Sequence, residues 1–440
     1  MRVKVFKDRK SLFTQLLEGS QHFGGLWNIA LIQFGIIAVI LTAGDVISSG
    51  GFDLRVETLM FGGPMDWLRF TLLEILQISG ALLVYPSFVV WQRLRKFTGG
   101  VIDRLFMLAY LAMVVVTMIA VFRSLLLLDL PPVFRCLSTI EHMRLVMKSF
   151  SFIRENSTKL LNPWHKDDED GPAVWYERQM DPSVGSFSKY LYFLFVPTLL
   201  YRDHYPRLKG PICWRNVAIY IGEFLAFSYI HFIIYGKWLV PASFRPQDLW
   251  NTYQYTMMTA SLGILSSLVV IFHSWPNFTA ELTRFADREF YTDWWNSSSY
   301  TIFYRKWNVL IYDWINAYFY QDLRKVLKSS WLTALVVFLV SSFMHDYHVA
   351  VATGYFLPVF MVLFAGGGGF MFLVRPDKNS RFAKAFTVCG FYMGTAIIVS
   401  AHYTELAARN ACPQVNSSYL QYATLACFSQ HNITIDYIIM

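Results

Sequence analysis

Charge is scarce in this sequence: 15% of its 440 residues are Asp, Glu, Lys or Arg, against 55% that are hydrophobic. That balance excludes an intrinsically disordered chain and an ordinary soluble domain. Cysteine is scarce too. The five present show no metal-ligand spacing, so no metal site and no cofactor framework are indicated. No stretch resembles a cleavable leader. The basic start MRVKVFKDRK is followed by an apolar run, Leu26 to Leu41, that is too long and has no small-residue cleavage site, so it is expected to stay as a span. No internal repeat suggests a transporter built from inverted halves. A net charge of +8 would suit nucleic acid in a soluble protein. Here the Lys and Arg residues sit mostly in short loops, where they report orientation, and nucleic-acid binding is not indicated.

Long apolar runs are what the sequence has in abundance. They lie near 25–46, 69–93, 104–128, 216–236, 253–275, 330–348, 351–374 and 385–405, each comparable with the roughly 20 residues that cross a bilayer. The fold class is therefore all-α, a polytopic membrane protein. Charge adds a ninth crossing. With a cytosolic N-terminus, the acidic loop around Asp45, Asp53 and Glu57 is lumenal, and the loop with Arg93, Arg95, Lys96 and Arg104 is cytosolic. The basic segment 154–213 returns to the cytosol only if 131–150 also crosses, although Glu141, His142 and Arg144 interrupt it.

The expected organisation is a short cytosolic segment 1–24, a membrane domain 25–405 with cytosolic loops 154–213 and 276–329, and a lumenal tail 406–440. That tail carries the sequons at Asn416 and Asn432, and it also holds Cys412 and Cys427, which are open to a disulfide if the lumen is oxidising. The acidic stretch 165–186 reads as a solvated linker. The tetraglycine Gly366 to Gly369 suits close helix packing or a local break beside a cavity.

Two places carry groups suited to chemistry. In SSFMHDYHV, residues Ser341, His345 and His348 fall at i, i+4 and i+7, on one helical face, while Asp346 points elsewhere. His345 lies about 15 residues into its span, roughly 22 Å at the helical rise, well inside the hydrocarbon core. An imidazole there serves either an interhelical hydrogen bond or catalysis, and His142, His231, His273 and His402 pose the same choice. Burial favours the neutral ring, the form that accepts a proton from an attacking alcohol, and shielding from water suppresses hydrolysis. The second place is FYTDWWNSSSYTIFYRKWNV (290–309). Its rings suit an interfacial aromatic belt, while Asp293, Asn296, Arg305 and Asn308, with Lys306 and Lys328, are suited to a phosphorylated amphiphile arriving from the cytosol.

These residues resemble a known family. FYTDWWN (Phe290, Tyr291, Asp293, Trp294, Trp295 and Asn296 within it) is similar to the FYxDWWN signature of the sterol O-acyltransferases, a branch of the membrane-bound O-acyltransferase superfamily, and SSFMHDYHV looks like the span bearing the superfamily histidine. YLYFLFVPTLLYRDHYPR (190–207), MRLVMKSFSFIREN (143–156) and ARNACP (408–413) extend the resemblance over nearly the whole chain. It implies nine spans, an endoplasmic reticulum location, a homodimer, and a chamber reached by acyl-CoA from the cytosol and by sterol from the bilayer. His345 takes the position of the catalytic histidine and Asn308 that of its amide partner at the thioester. Arg305, Tyr320, Lys328 and Ser341 resemble residues along the acyl-CoA path, and Cys412 and Cys427 the lumenal disulfide. Three positions depart: Asp346 replaces the usual Glu, and Ile302 and Tyr312 stand where Asn and His are expected near the CoA moiety. No cofactor is implied, acyl-CoA being a substrate. Sibling diacylglycerol acyltransferases share the loop and the histidine, and a non-enzymatic lipid channel is the rival of a different class.

Overall fold

Without water to satisfy backbone groups, a chain inside a bilayer must close its hydrogen bonds within helices, and the described residues do so. The computed structural model describes residues 4–49, 62–98, 100–161, 186–235, 249–368 and 380–411. The helices are α1 (Leu12–Gly19), α2 (Gln21–Ser49), α3 (Pro64–Thr98), α4 (Gly100–Leu127), α5 (Pro132–Leu161), α6 (Phe187–Phe195), α7 (Trp214–Phe232), α8 (Leu249–Leu268), α9 (Trp275–Thr283), α10 (Tyr300–Trp307), α11 (Val309–Trp314), α12 (Gln321–Leu327), α13 (Ser330–Thr353) and α14 (Arg381–Ala411). Three π-helical segments, Val269–Ser274, Ile315–Tyr320 and Met361–Gly368, lie between them. Extended pairing among the described residues is limited to two isolated bridges, Arg9 with Asp287 and Arg207 with Phe285.

Among the described residues, seven helices are long and apolar enough to cross a membrane: Gln21–Gly44, Pro64–Arg95, Gly100–Leu127, Trp214–Tyr235, Met257–Thr283, Ser330–Thr353 and Arg381–Leu406. These coincide with seven of the nine expected crossings. The two others differ for physical reasons. Residues 131–150 do form a helix, but α5 is lined with polar groups that other helices satisfy. Ser138 Oγ accepts from Gln77 Nε2 at 2.6 Å, and buried Lys148 donates to the carbonyls of Phe193, Leu194 and Val196 at 2.6–3.0 Å. Such a helix is sheltered by protein and does not need an apolar surface. The run expected at 351–374 is broken near its start, and residues 369–374 lie outside the described residues. α13 already includes 351–353 and stops at Gly354, whose φ of +82° closes the C-terminus, and the chain then re-enters a π-helical turn at Met361.

The main core is aromatic. Phe88, Trp91, Phe152, Tyr190, Phe193, Tyr201, Phe285, Phe290, Tyr291, Trp294 and Phe303 are buried together, drawing on α3, α5, α6 and the 285–309 segment. Lipid is as apolar as leucine, so within the bilayer close packing and internal hydrogen bonds hold such a core more than water exclusion does.

One expectation is corrected. No disulfide is present among the described residues: Cys136, Cys213 and Cys389 are free thiols. Cys136 instead lies against an imidazole, its Sγ 3.7 Å from His348 Nε2. Cys412 and Cys427 lie outside the described residues, as do Asn416, Asn432, Gly369 and the acidic segment up to residue 185.

Candidate active site

Helix α13 begins on a cap, Ser329 Oγ accepting from Leu332 N at 3.3 Å, and delivers His345 near its far end. There the imidazole Nδ1 lies 2.7 Å from the Ser341 carbonyl oxygen. A carbonyl can only accept, so Nδ1 carries the hydrogen and Nε2 keeps its lone pair. Among the described residues nothing bonds Nε2, and His345 is exposed. The burial expected of this base is not what the described residues show: the imidazole is exposed. Ser341 contributes its carbonyl and not its hydroxyl, and His348 turns toward Cys136 on α5.

The segment after α13 folds back over the ring. Asp346 is buried at 1% exposure. Its two carboxylate oxygens accept from the backbone N–H groups of Phe360 and Met361, each at 2.9 Å. That clamp seats the start of the π-helical segment, so the Phe360 ring stacks on His345 at 5.1 Å between centroids and Phe364 meets it edge-on at 5.8 Å. The same Phe364 touches Tyr304 of α10 at 6.2 Å, and Tyr304 packs on Phe338 of α13 at 5.4 Å. One phenylalanine thus joins the histidine to the aromatic loop.

The loop itself settles the choice between a membrane belt and a packed structure. Phe290, Tyr291 and Trp294 are core residues, and Trp294 meets Trp307 at 4.9 Å, Trp295 at 5.5 Å and Phe303 at 5.7 Å. Trp295 and Asn296 remain exposed. Two backbone bonds close the loop on itself, Thr292 N to Lys306 O at 2.9 Å and Val309 N to Phe290 O at 3.0 Å, and Asp293 pairs with Lys306 at 2.8 Å. Asn308 sits beside the second of these bonds as the cap of α11, its Oδ1 accepting from Ile311 N at 3.1 Å. Among the described residues its Nδ2 donates to nothing, so an amide donor is fixed by its own oxygen and left free.

Arg305 and Lys328 are exposed and form no ion pair among the described residues, so both cations are available to an anion. Lys328 adopts φ +55° between α12 and α13, a left-handed conformation that costs a side-chain-bearing residue roughly 1–2 kcal/mol. Ile302, Tyr312, Tyr320 and Ser341 are half-buried.

A second polar cluster has no signature in the linear sequence. On the π-helical turn after α8, His273 Nε2 lies 3.7 Å from Glu223 of α7, while its Nδ1 is 3.3 Å from Asn277 Nδ2 and 3.5 Å from the Tyr291 hydroxyl. Burial pushes the Tyr291 phenol up and keeps it a neutral donor. The cluster ties the FYTDWWN loop to α7, and its members are too far apart in the chain for any spacing to reveal. His231 is satisfied differently, by the Ser267 hydroxyl at 3.0 Å. No group of three His, Cys, Asp or Glu suited to a metal gathers among the described residues.

Comparison with known proteins fits this geometry. The sequence pattern of the membrane-bound O-acyltransferase (MBOAT) family matches residues 107–402, which include α5, the aromatic loop and α13. Sterol O-acyltransferase 2 of Rattus norvegicus is 32% identical over 443 residues, covering 97% of this chain and 81% of that protein. The Mus musculus protein of the same name is 33% identical over 444 residues with the same coverage. Sterol O-acyltransferase 1 of Chlorocebus aethiops is 31% identical over 437 residues, covering 95% and 76%.

Proposed function

The chain belongs to the membrane-bound O-acyltransferase family, and from that premise we propose that it esterifies the 3β-hydroxyl of cholesterol or a related sterol with a long-chain acyl group from acyl-CoA. The observation that carries this is the His345 tautomer: Nδ1–H is committed to the Ser341 carbonyl, and Nε2 is left open to accept a proton. The names of the relatives supply the sterol, and similarity over almost the full chain supports transferring it.

The sterol hydroxyl approaches His345, and its oxygen attacks the thioester carbonyl as Nε2 takes the proton. The new C–O bond leaves a tetrahedral oxyanion, toward which Asn308 Nδ2 donates. Collapse breaks the C–S bond, and the thiolate of CoA recovers the proton from Nε2. Ester and free CoA result, the imidazole ends neutral, and no acyl-enzyme is needed. Losing an oxyanion donor of this kind costs about 100-fold or more in rate. Arg305 and Lys328 meet the phosphates of CoA, with Ile302 and Tyr312 near the CoA moiety and Tyr320 and Ser341 along the acyl-CoA path. The same reading carries an endoplasmic reticulum location, a cytosolic N-terminus, a lumenal C-terminus and a homodimer.

Purified protein given labelled oleoyl-CoA with cholesterol, diacylglycerol and a long-chain alcohol in competition should form sterol ester in excess. Diacylglycerol as the favoured acceptor would move the chain to the sibling activity. Absence of CoA release with every acceptor would leave a lipid conduit instead.

A further inference from the structure

Ahead of the first span, residues 4–11 do not trail free. Arg9 N donates to Ala286 O at 3.0 Å, and Arg288 N donates back to Arg9 O at 3.1 Å. On the other side of the same segment, Ala286 N donates to Pro206 O at 3.0 Å and Leu208 N to Arg284 O at 2.8 Å. Three distant stretches thereby form a narrow ribbon. Phe6 anchors it, meeting Tyr205 at 5.3 Å and Phe285 at 6.0 Å, both edge-on.

The charges on this stretch are directed at one target. Arg9 Nη2 donates to Asp287 Oδ2 at 3.2 Å, and Nη1 lies 2.6 Å from Glu289 Oε1. Asp287 is almost fully buried and also accepts from Lys7 N at 3.1 Å. Lys4 Nζ spans two carboxylates, Asp313 at 2.8 Å and Glu289 at 3.7 Å. Glu289 immediately precedes Phe290, whose carbonyl is bonded by Val309 N, and Asp313 lies on α11, the helix that Asn308 caps. Lys4 therefore bridges the two limbs of the turn that holds the Asn308 amide. Lys10, by contrast, pairs with exposed Glu18 at 2.6 Å and takes no part in this.

We propose that residues 4–9 are a positioning strap: through Lys4 and Arg9 they hold Asp287, Glu289 and Asp313 together, and so fix the turn that presents Asn308 to the reacting acyl group. Lys4 and Arg9 touch no substrate and act through that turn. A misplacement of about 1 Å costs a reacting geometry about 100-fold, so partial loosening is expected to cost about tenfold.

The inference rests on the acyl-transfer reading, and its test keeps the two apart. Turnover with oleoyl-CoA and cholesterol is measured on the purified full chain for Lys4→Glu, Asp313→Lys and the double variant Lys4→Glu/Asp313→Lys, with Lys10→Glu as control. Each single variant should lower kcat about tenfold with the sterol KM unchanged. The double variant, which restores the pair with its charges exchanged, should recover to within about threefold, and the control should match the parent. A double variant no faster than the singles overturns the strap. Should Lys4→Glu aggregate, Lys4→Met, which adds no repulsion, must still lower kcat, and parental turnover in it overturns the strap equally. Asn308→Ala separates the levels. If it is impaired while Lys4→Glu is not, the strap alone fails; if it turns over normally, the role given to Asn308 fails and the strap with it; and a parent chain that forms no sterol ester and releases no CoA defeats the acyl-transfer reading itself.

Discussion

Replacing Asp346 tests how the ring of His345 is held. The carboxylate is buried and takes two backbone N–H groups, from Phe360 and Met361, at 2.9 Å each. Hydrogen bonds to a charged acceptor are each worth about 1.5–3 kcal/mol, and losing them leaves buried donors unpaired. Asp346→Ala therefore removes about 3–6 kcal/mol from the clamp, whereas Asp346→Asn keeps one acceptor and loses about half of that. The loss is local before it is global. Phe360 and Phe364 are carried by the segment the clamp seats, so both rings leave the imidazole, and His345 is free to abandon the orientation that aims Nε2 at the substrate. About 1.4 kcal/mol of redistribution is a tenfold change in population, so turnover is expected to fall about tenfold in Asp346→Asn and more in Asp346→Ala. The assay pairs thermal unfolding of the detergent-solubilised protein with CoA-thiol release under saturating oleoyl-CoA. Both readouts should fall in the order parent, Asn, Ala. An Asp346→Ala variant with parental melting and parental turnover would refute the clamp.

Two other perturbations follow from the geometry. Arg305→Ala and Lys328→Ala should each raise the KM for acyl-CoA severalfold while kcat changes little, and added salt should shrink the difference, because exposed cations facing phosphates are screened at a Debye length of about 8–10 Å; an unchanged KM in the double variant would remove both from the CoA path. Gly390→Ala would drive its Cβ into the Tyr300 hydroxyl, and overpacking of this kind costs about 1–3 kcal/mol. Tyr300→Phe in the same chain should recover part of that loss, as read by thermal unfolding, since it removes the clashing oxygen.

Hydropathy made most of the fold legible, because a span must be long and apolar whatever it packs against. It failed where protein replaces lipid. α5 hides Ser138 and Lys148 against α3 and α6, so a segment that hydropathy alone would omit, and that only charge counted as a crossing, is a 30-residue helix. In the run 351–374 the break is invisible to hydropathy, because apolar composition continues across Gly354, where the backbone turns left-handed. At the site, spacing alone left His345 among several span histidines; its polar neighbours and the aromatic loop favoured it, but they did not show which neighbour it uses, since Ser341 acts through a backbone carbonyl that every residue possesses. Composition could not tell an aromatic belt from a core, because Trp294 and Trp295 differ only in which way the turn aims them. The His273 cluster and the Asp346 clamp depend on partners that only the folded chain brings near.

The central claim is that the open nitrogen of His345 takes the proton of an attacking alcohol, and general-base catalysis of that kind contributes about 100- to 10,000-fold. The most direct measurement is CoA-thiol release by purified His345→Ala protein, with oleoyl-CoA binding measured on the same sample. The account predicts turnover reduced at least about 100-fold with binding retained. Turnover within a few-fold of the parent would contradict it.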